Sequence, residues 1–545
     1  MTAGGVAGTP PPGGGREGAA SAPAPGAWRD DTAMLLAWMA LSVAWSWPLA
    51  ADPVASTVSL HFDQLPAAWL VDAARSFLPS GVSSWSAWPS GEPMQRLDSF
   101  LFVGLAMVLG GAVPGMLLTN LFVLLGPVAS AWAMACAARR MLGVDRAGQF
   151  FAGVLYGFGP MALVAALEGQ VYALLAPWLP LCAWAAWEGR AVATAMAFAL
   201  ALCGTAYHGV NAALVLAAVL WLRLPVLGRG AVARVLGAVG VAGAAYAAFY
   251  ATGASRGTGP VEGATPVTLL AWSPWLDLAR HSLGPVLGVA TLAFAVGAVL
   301  RWREIGLDRR LARGLFVLGA CAVLLALGPR LQLGVVPGRG VPTPLALLEG
   351  TGVFRALRFP LRFGWTAALA WSMLGAALVS RMRRPWVAVL AALLDVLVAG
   401  GAVGRLRGHP VPVPRLYALL PQAPVLELYP EFGDSREDLN YYAQNLACHY
   451  QRFHRRPILE RCLNTDLSTS PRWQAGAALH ARVFAGEPVL AWLKAQRVGS
   501  VVVHADLYAP DMREEVLGAL LRELGEPVAQ GHDGGEWLMA WKVPT

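Results

Sequence analysis

The sequence predicts an α-helical polytopic membrane protein of about eleven spans with a small extracytoplasmic α/β domain at its C-terminus. Three observations carry that prediction. Hydrophobic residues make up 56% of the 545 residues and charged ones only 14%, against about 25% charged in soluble domains. Mean hydropathy is +0.52, so lipid is the solvent for most of the chain. Arginines cluster in short gaps between apolar runs, as the positive-inside rule expects of cytoplasmic loops. After about Arg405 the composition changes to that of a soluble domain. The formal charge of +8 raises nucleic acid as a partner, but cations dispersed between spans make no continuous binding face; no nucleic acid is expected.

Residues 1–30 are rich in Gly, Pro and Ala and read as a disordered cytoplasmic tail. Residues 31–403 form the transmembrane region. Its first span runs from about Ala33 to Ala51 and lacks a clear cleavage site, so it is retained. A large external loop, residues 52–99, follows and carries His61, Asp63, Asp72, Glu92 and Asp98 among Trp69, Trp85 and Trp88. The segment from about Leu97 to Gly111 is too short to cross if Arg139, Arg140 and Arg146 are to stay inside. It is expected to lie on, or re-enter, the outer face. Spans then follow at about 117–138, 150–167, 173–187, 191–206, 210–221, 236–250, 286–300, 315–327, 365–379 and 386–403. Outer turns are expected at Glu168-Gly169-Gln170 and Tyr207-His208-Gly209, and the N-terminus lies inside. Residues 404–545 carry strand character in VLELYP, VGSVVVH and WLMAWKV, and an amphipathic helix in MREEVLGALLRELG. The length suffices for a separate core.

Cys136, Cys182, Cys203 and Cys321 lie in apolar runs and read as packing residues. Cys448 and Cys462 lie in the polar C-terminal region, where a disulfide and two separate thiols are both open. No zinc spacing, Walker loop or HExxH is present.

The outer face gathers Asp63, Glu168, His208 and the segment VFRALRFPLRFGW. Each alone has an ordinary explanation: loop carboxylates are solvated, and a histidine packs locally. Glu168 and His208, however, each sit at the end of a span with few polar neighbours, and ionisable groups at the hydrocarbon edge persist where they line a cavity or pathway. Arg355, Arg358 and Arg362 fall within eight residues on the side where Arg is least expected. Bidentate pairing with phosphate and snorkelling to lipid headgroups are both open for them.

The first loop, AARRMLGVDRAGQFFAGVLYGFGPMALVAALEGQ, and ALGPRL…PTPLALLEGTGVFRALRFPLRFGW together resemble bacterial polytopic proteins of the GT-C glycosyltransferase superfamily. YQRFHRRPILERC and LKAQRVGSVVVHADLY are similar to the external domain of the same group. The resemblance implies a protein of the bacterial cytoplasmic membrane that takes a sugar from a polyprenyl-phosphate donor at the outer face. It implies that an acidic residue early in the first loop is base or metal ligand, and Asp63 fits that position. Glu168 resembles a second acidic position. His61, His208, Arg355, Arg358 and Arg362 are the expected substrate contacts. The usual first-loop acidic pair is missing from HFDQ, so a divalent metal ion stays open and no cofactor is certain. The expected partners are the lipid-linked donor, membrane lipids and envelope-biosynthesis proteins. A non-enzymatic protein of this fold that binds lipid-linked sugars or scaffolds envelope polysaccharide assembly is the first alternative. A transporter is the second, against which stand the lack of an internal repeat and the gathering of polar residues at one face.

Overall fold

The computed structural model describes residues 27–58, 64–77, 82–83, 92–93, 99–110, 112–167, 169–251, 288–328, 330–331, 341–343, 346–347, 360–399, 409–411, 414–430, 437–460, 462, 471–533 and 536–544. The chain is mostly helical. Its first helix, α1 (Ala27–Trp45), begins inside the stretch read as tail. The first loop holds β1 (Ser56–Thr57), a buried helix α2 (Gln64–Ala73) and a small hairpin, β2 (Val82–Ser83) with β3 (Glu92–Pro93). Helix α3 (Phe100–Leu109) has ten residues, about 15 Å at 1.5 Å per residue, half of what a crossing needs.

The bundle continues with α4 (Gly115–Leu142), α5 (Arg146–Gly157), α6 (Pro160–Leu167), α7 (Trp178–Trp187), α8 (Ala191–Gly204) and α9 (Ala206–Ala251). Then come α10 (Val289–Leu300), α11 (Arg309–Ala326), the antiparallel pair β4 (Arg330–Leu331) and β5 (Val341–Pro342), α12 (Gly364–Val379) and α13 (Pro385–Leu394). Among the described residues, Gly115–Leu142, Arg146–Leu167 and Ala206–Ala248 are long and apolar enough to cross a membrane unaided, beside several shorter apolar helices. The protein is a membrane protein.

Three expected boundaries shift for local reasons. The span expected at 150–167 is two helices, because Pro160 disfavours helical backbone at Gly159 and starts α6 itself. The outer turn expected at Tyr207-His208-Gly209 is helical; the break is Thr205 alone, whose hydroxyl accepts the His208 backbone N–H at 3.0 Å. The spans expected at 210–221 and 236–250 are two helices, written together as α9, that run on to a common kink at Gly228, where φ is +73° and ψ 161°; only glycine adopts that conformation without strain.

Helix α12 is buried at every position from Gly364 to Val379, as a helix apolar on all sides should be. It packs against α5, α10 and α11. Small residues permit the approach: a Cβ on Gly319 of α11 would sit 2.0 Å from Trp371 Nε1. The last span is not purely apolar. Asp395, just beyond α13, is buried, and its Oδ2 accepts the backbone N–H of Ala290 at 3.1 Å, capping the first turn of α10.

The two ends of the bundle differ. At one end lie the Arg146–Asp31 ion pair, Arg140 over Trp184 at 5.7 Å, Arg223 over Trp187 at 4.4 Å and Arg310 over Trp221 at 4.9 Å. The Asp145 N–H there donates to Ser380 Oγ at 3.1 Å. This arginine and tryptophan belt is what a headgroup layer favours. The other end carries the first loop and the C-terminal region.

In the C-terminal region, β6 (His409–Pro410) pairs antiparallel with β1. A four-stranded sheet follows, with order β7 (Val425–Leu428), β8 (Ser500–His504), β10 (Glu536–Lys542), β9 (Ala529–Asp533); β7 and β8 are parallel and the rest antiparallel. Strand residues divide with period two. Leu426, Leu428, Val501, Val503 and Trp541 join Leu479, Val516 and Leu520 in one cluster. Val425, Val502, Leu538 and Ala540 face the opposite way and join the core that runs into the bundle. Helices α14 (Glu437–His454), α15 (Pro471–Phe484), α16 (Leu490–Ala495) and α17 (Pro510–Leu524) flank the sheet. Cys448 and Cys462 form a disulfide.

Candidate functional site

Of the catalytic and substrate-contact residues expected from sequence, His208 and Arg362 are described, and the fold brings them together. His61, Asp63, Glu168, Arg355 and Arg358 lie outside the described residues. His208 is in the first turn of α9, and Arg362 comes just before α12. Asn211, one turn beyond His208, ties the two segments together. Its Nδ2 donates to Tyr207 O at 2.8 Å and to Arg362 O at 3.0 Å, and its Oδ1 accepts from Thr366 Oγ1 at 2.5 Å. All of these groups are buried, where satisfied polar networks hold one geometry.

The Arg362 guanidinium lies over the Tyr207 ring, 4.1 Å from its centroid. The His208 ring stands edge-on to Trp365 at 5.8 Å, and Trp365 in turn meets Tyr156 at 5.5 Å. Gly204 makes room on the other side: a Cβ there would lie 3.6 Å from both His208 Nδ1 and Trp178 Nε1. His208 is 1% exposed, yet neither ring nitrogen has a hydrogen-bond partner among the described residues, and Trp178 Nε1 has none either. Buried polar atoms are almost always paired, and leaving one unpaired costs about 1–3 kcal/mol. His208 and Trp178 meet at Gly204, and Arg362 lies over the neighbouring Tyr207; their N–H groups are of the kind that bind acceptor oxygens of a phosphate or a sugar.

Two sequence-named positions have described neighbours. Glu168 stands between α6 and Gly169, whose φ is +66°; the Gly169 and Gln170 N–H groups bond back to Ala166 O and Ala165 O, ending the helix tightly. Asp63 directly precedes Gln64, the first residue of α2. Gln64 is fully buried. Its Oε1 accepts from Thr57 Oγ1 at 2.6 Å and from Val58 N at 2.8 Å, and its Nε2 donates to Asn120 Oδ1 at 2.6 Å. Asn120 Nδ2 donates to Pro53 O and Ser56 O at 2.8 and 2.7 Å. The start of α2 is thereby stapled to α4 and β1.

Sequence reading missed Tyr207, Asn211, Thr366, Gln64 and Asn120. Asn211 and Asn120 had a signal, each being a lone amide within an apolar span. The others had none, since their partners are distant in the chain. Among the described residues no three His, Cys, Asp or Glu side chains converge to hold a metal ion.

No family model and no curated protein matches the chain. Among solved structures, it is similar to the mycobacterial arabinofuranosyltransferase AftD, with TM-score 0.51 and 18% identity over 95% of this chain and 40% of that one. A mutant of the same enzyme gives TM-score 0.51 and 18% identity over 94% and 41%. The oligosaccharyltransferase AglB from Archaeoglobus fulgidus shows a weaker likeness, with TM-score 0.41 and 12% identity over 88% and 70%. The chain spans about two fifths of the AftD chains it matches. The likeness is one of fold, shared with the AftD chains over nearly all of this chain.

Proposed function

We propose that the chain is a membrane glycosyltransferase that moves a sugar from a polyprenyl-phosphate donor to an envelope acceptor. The reaction takes place at the outer face of the cytoplasmic membrane, with about eleven crossings, the N-terminus inside and residues 404–545 outside. The observation that carries this reading is the grouping of His208, Trp178 and Arg362, with the His208 ring nitrogens and Trp178 Nε1 lacking a hydrogen-bond partner among the described residues, on a fold similar to that of AftD and at the end of the bundle that also holds the first loop.

In an inverting transfer the acceptor oxygen attacks the anomeric carbon while the bond from that carbon to the phosphate oxygen breaks. Asp63 takes the acceptor proton. Negative charge builds on the departing polyprenyl phosphate, and Arg355, Arg358 and Arg362 stabilise it. Glu168, His61 and His208 contact donor or acceptor. The described residues offer no converging donor set for a divalent metal, and no step is routed through one.

The test is turnover of labelled polyprenyl-phosphate mannose, glucose and arabinose by the purified protein, with cell-envelope extract as acceptor. Wild type releases carrier phosphate, and Asp63→Asn lowers kcat by about 10²- to 10⁴-fold, the usual range for a lost general base. Full activity in Asp63→Asn removes that residue from the mechanism. Donor binding without turnover in the wild type favours the non-enzymatic alternative, and flux across sealed vesicles favours transport.

A further inference from the structure

The first loop and the C-terminal region close a ring of contacts around α2. Asp72, in the last turn of α2, uses both carboxylate oxygens: Oδ1 accepts the Gly115 N–H that opens α4 at 2.9 Å, and Oδ2 accepts from Arg452 Nε of α14 at 2.5 Å. One turn back, Trp69 Nε1 donates to Gln451 Oε1 at 2.7 Å. Arg452 has a 5%-exposed side chain, and its Nη1 donates to His449 Nδ1 at 3.1 Å. An arginine always donates, so His449 is the Nε2–H tautomer. That N–H reaches Val411 O at 3.0 Å. Val411 follows β6, β6 pairs with β1, and Thr57 of β1 holds Gln64 at the start of α2.

We propose that Arg452 is a positioning residue: through Asp72 it fixes α2, and so sets the start of that helix, Gln64, to which Asp63 is joined. The inference rests on the glycosyltransferase reading for its catalytic consequence, and on geometry alone for its mechanical one. A buried ion pair is a poor source of net stability compared with apolar packing, but it specifies one arrangement of the elements it joins. Helix α2 needs such a specification. Its burial on nearly all sides leaves apolar contacts that tolerate small rotations, whereas the Asp72 and Gln64 bonds at its two ends do not. The C-terminal region thus acts at the site from 380 residues away in sequence.

The test uses the full-length protein in nanodiscs, with Arg452→Met, Arg452→Lys and Asp72→Asn. Hydrogen exchange is followed in α2 and, as a folding control, in β8 and β10. In Arg452→Met, α2 exchanges at least tenfold faster with the sheet unchanged. Its kcat falls at least tenfold, with KM for the lipid-linked donor within twofold of wild type. Arg452→Lys restores most of both, and the Asp72→Asn, Arg452→Met double variant loses no more than the worse single one. The proposal is overturned by unchanged exchange in α2, by equal acceleration in the sheet, or by loosened α2 with undiminished kcat. A wild type that binds donor without turnover defeats the glycosyltransferase reading and the kinetic arm with it; exchange in α2 then decides alone whether Arg452 holds that helix.

Discussion

The two ends of the bundle use arginine in opposite ways. At the belt end, Arg223 and Arg310 lie over Trp187 and Trp221, and Arg190 pairs with Glu188 at 2.7 Å with 62% of its own side chain exposed. These cations sit where water and headgroups solvate them, so each one's partner matters little. At the other end, Arg362 is buried over Tyr207 and Arg452 is buried against Asp72 and His449. There the surroundings supply what water does not, and each bond is specific. The same residue type thus forms an aromatic-backed belt at one end and a buried, specifically bonded network at the other.

The largest effect that sharpens this contrast is on pH dependence. Burial, with Arg452 and Arg456 acting in the same direction, lowers His449 and His454 to about 3 from the ordinary 6.5. Between those values the unfolded chain binds protons that the folded one does not, so stability falls as pH falls. Each histidine removes about 1.4 kcal/mol per pH unit below 6.5, so the pair costs about 4 kcal/mol by pH 5. Thermal unfolding at pH 7.5 and pH 5 should show the drop, and a His449→Gln, His454→Gln variant should reduce it, leaving the part due to His480, which burial and Arg472 lower to about 4. A melting point indifferent to acid would mean that these histidines are not held neutral.

Next in size is Arg362→Met. It should lower kcat by about 10²- to 10³-fold, the range for losing one preorganised donor, with unfolding temperature nearly unchanged. Arg310→Met at the belt end should keep kcat within about twofold, since exposed cations contribute at most about 1 kcal/mol. Equal losses at the two ends would break the contrast.

Asn120→Leu should destabilise the protein by about 2–3 kcal/mol. It strips Gln64 Nε2 and the Pro53 and Ser56 carbonyls of a buried partner, and each such loss costs about 1–3 kcal/mol before relaxation. Chemical denaturation in detergent measures it. The smallest effect is expected for Arg190→Gln at the belt end: under 1 kcal/mol, shrinking further as salt rises.

How far the site was legible follows from the range of each interaction. His208 and Arg362 stood out in the sequence because an ionisable residue beside an apolar run is visible locally, and the structure places them in one cluster. Asp72 was visible as one acid among several in the first loop; nothing local distinguished it, because its partners are Gly115 and Arg452. Asp395 went unremarked inside an apolar span. Its role is set by Gly288 and Ala290 of another helix, where a Cβ on Gly288 would lie 2.0 Å from Asp395 Oδ2.

The sequence alone determined that the chain lives in lipid, which runs become apolar helices, which loops carry the basic belt and which C-terminal segments become strands. Apolar run length, charge placement and side-chain period are properties of neighbouring residues, and they act before any tertiary contact forms. Only the tertiary structure decided that Cys448 meets Cys462, that the His208 ring nitrogens and Trp178 Nε1 find no hydrogen-bond partner among the described residues, and that α14 closes on α2. Those outcomes depend on which polar groups meet after the chain has been excluded from water. Their energies come from pairings between segments tens to hundreds of residues apart, which no local pattern encodes.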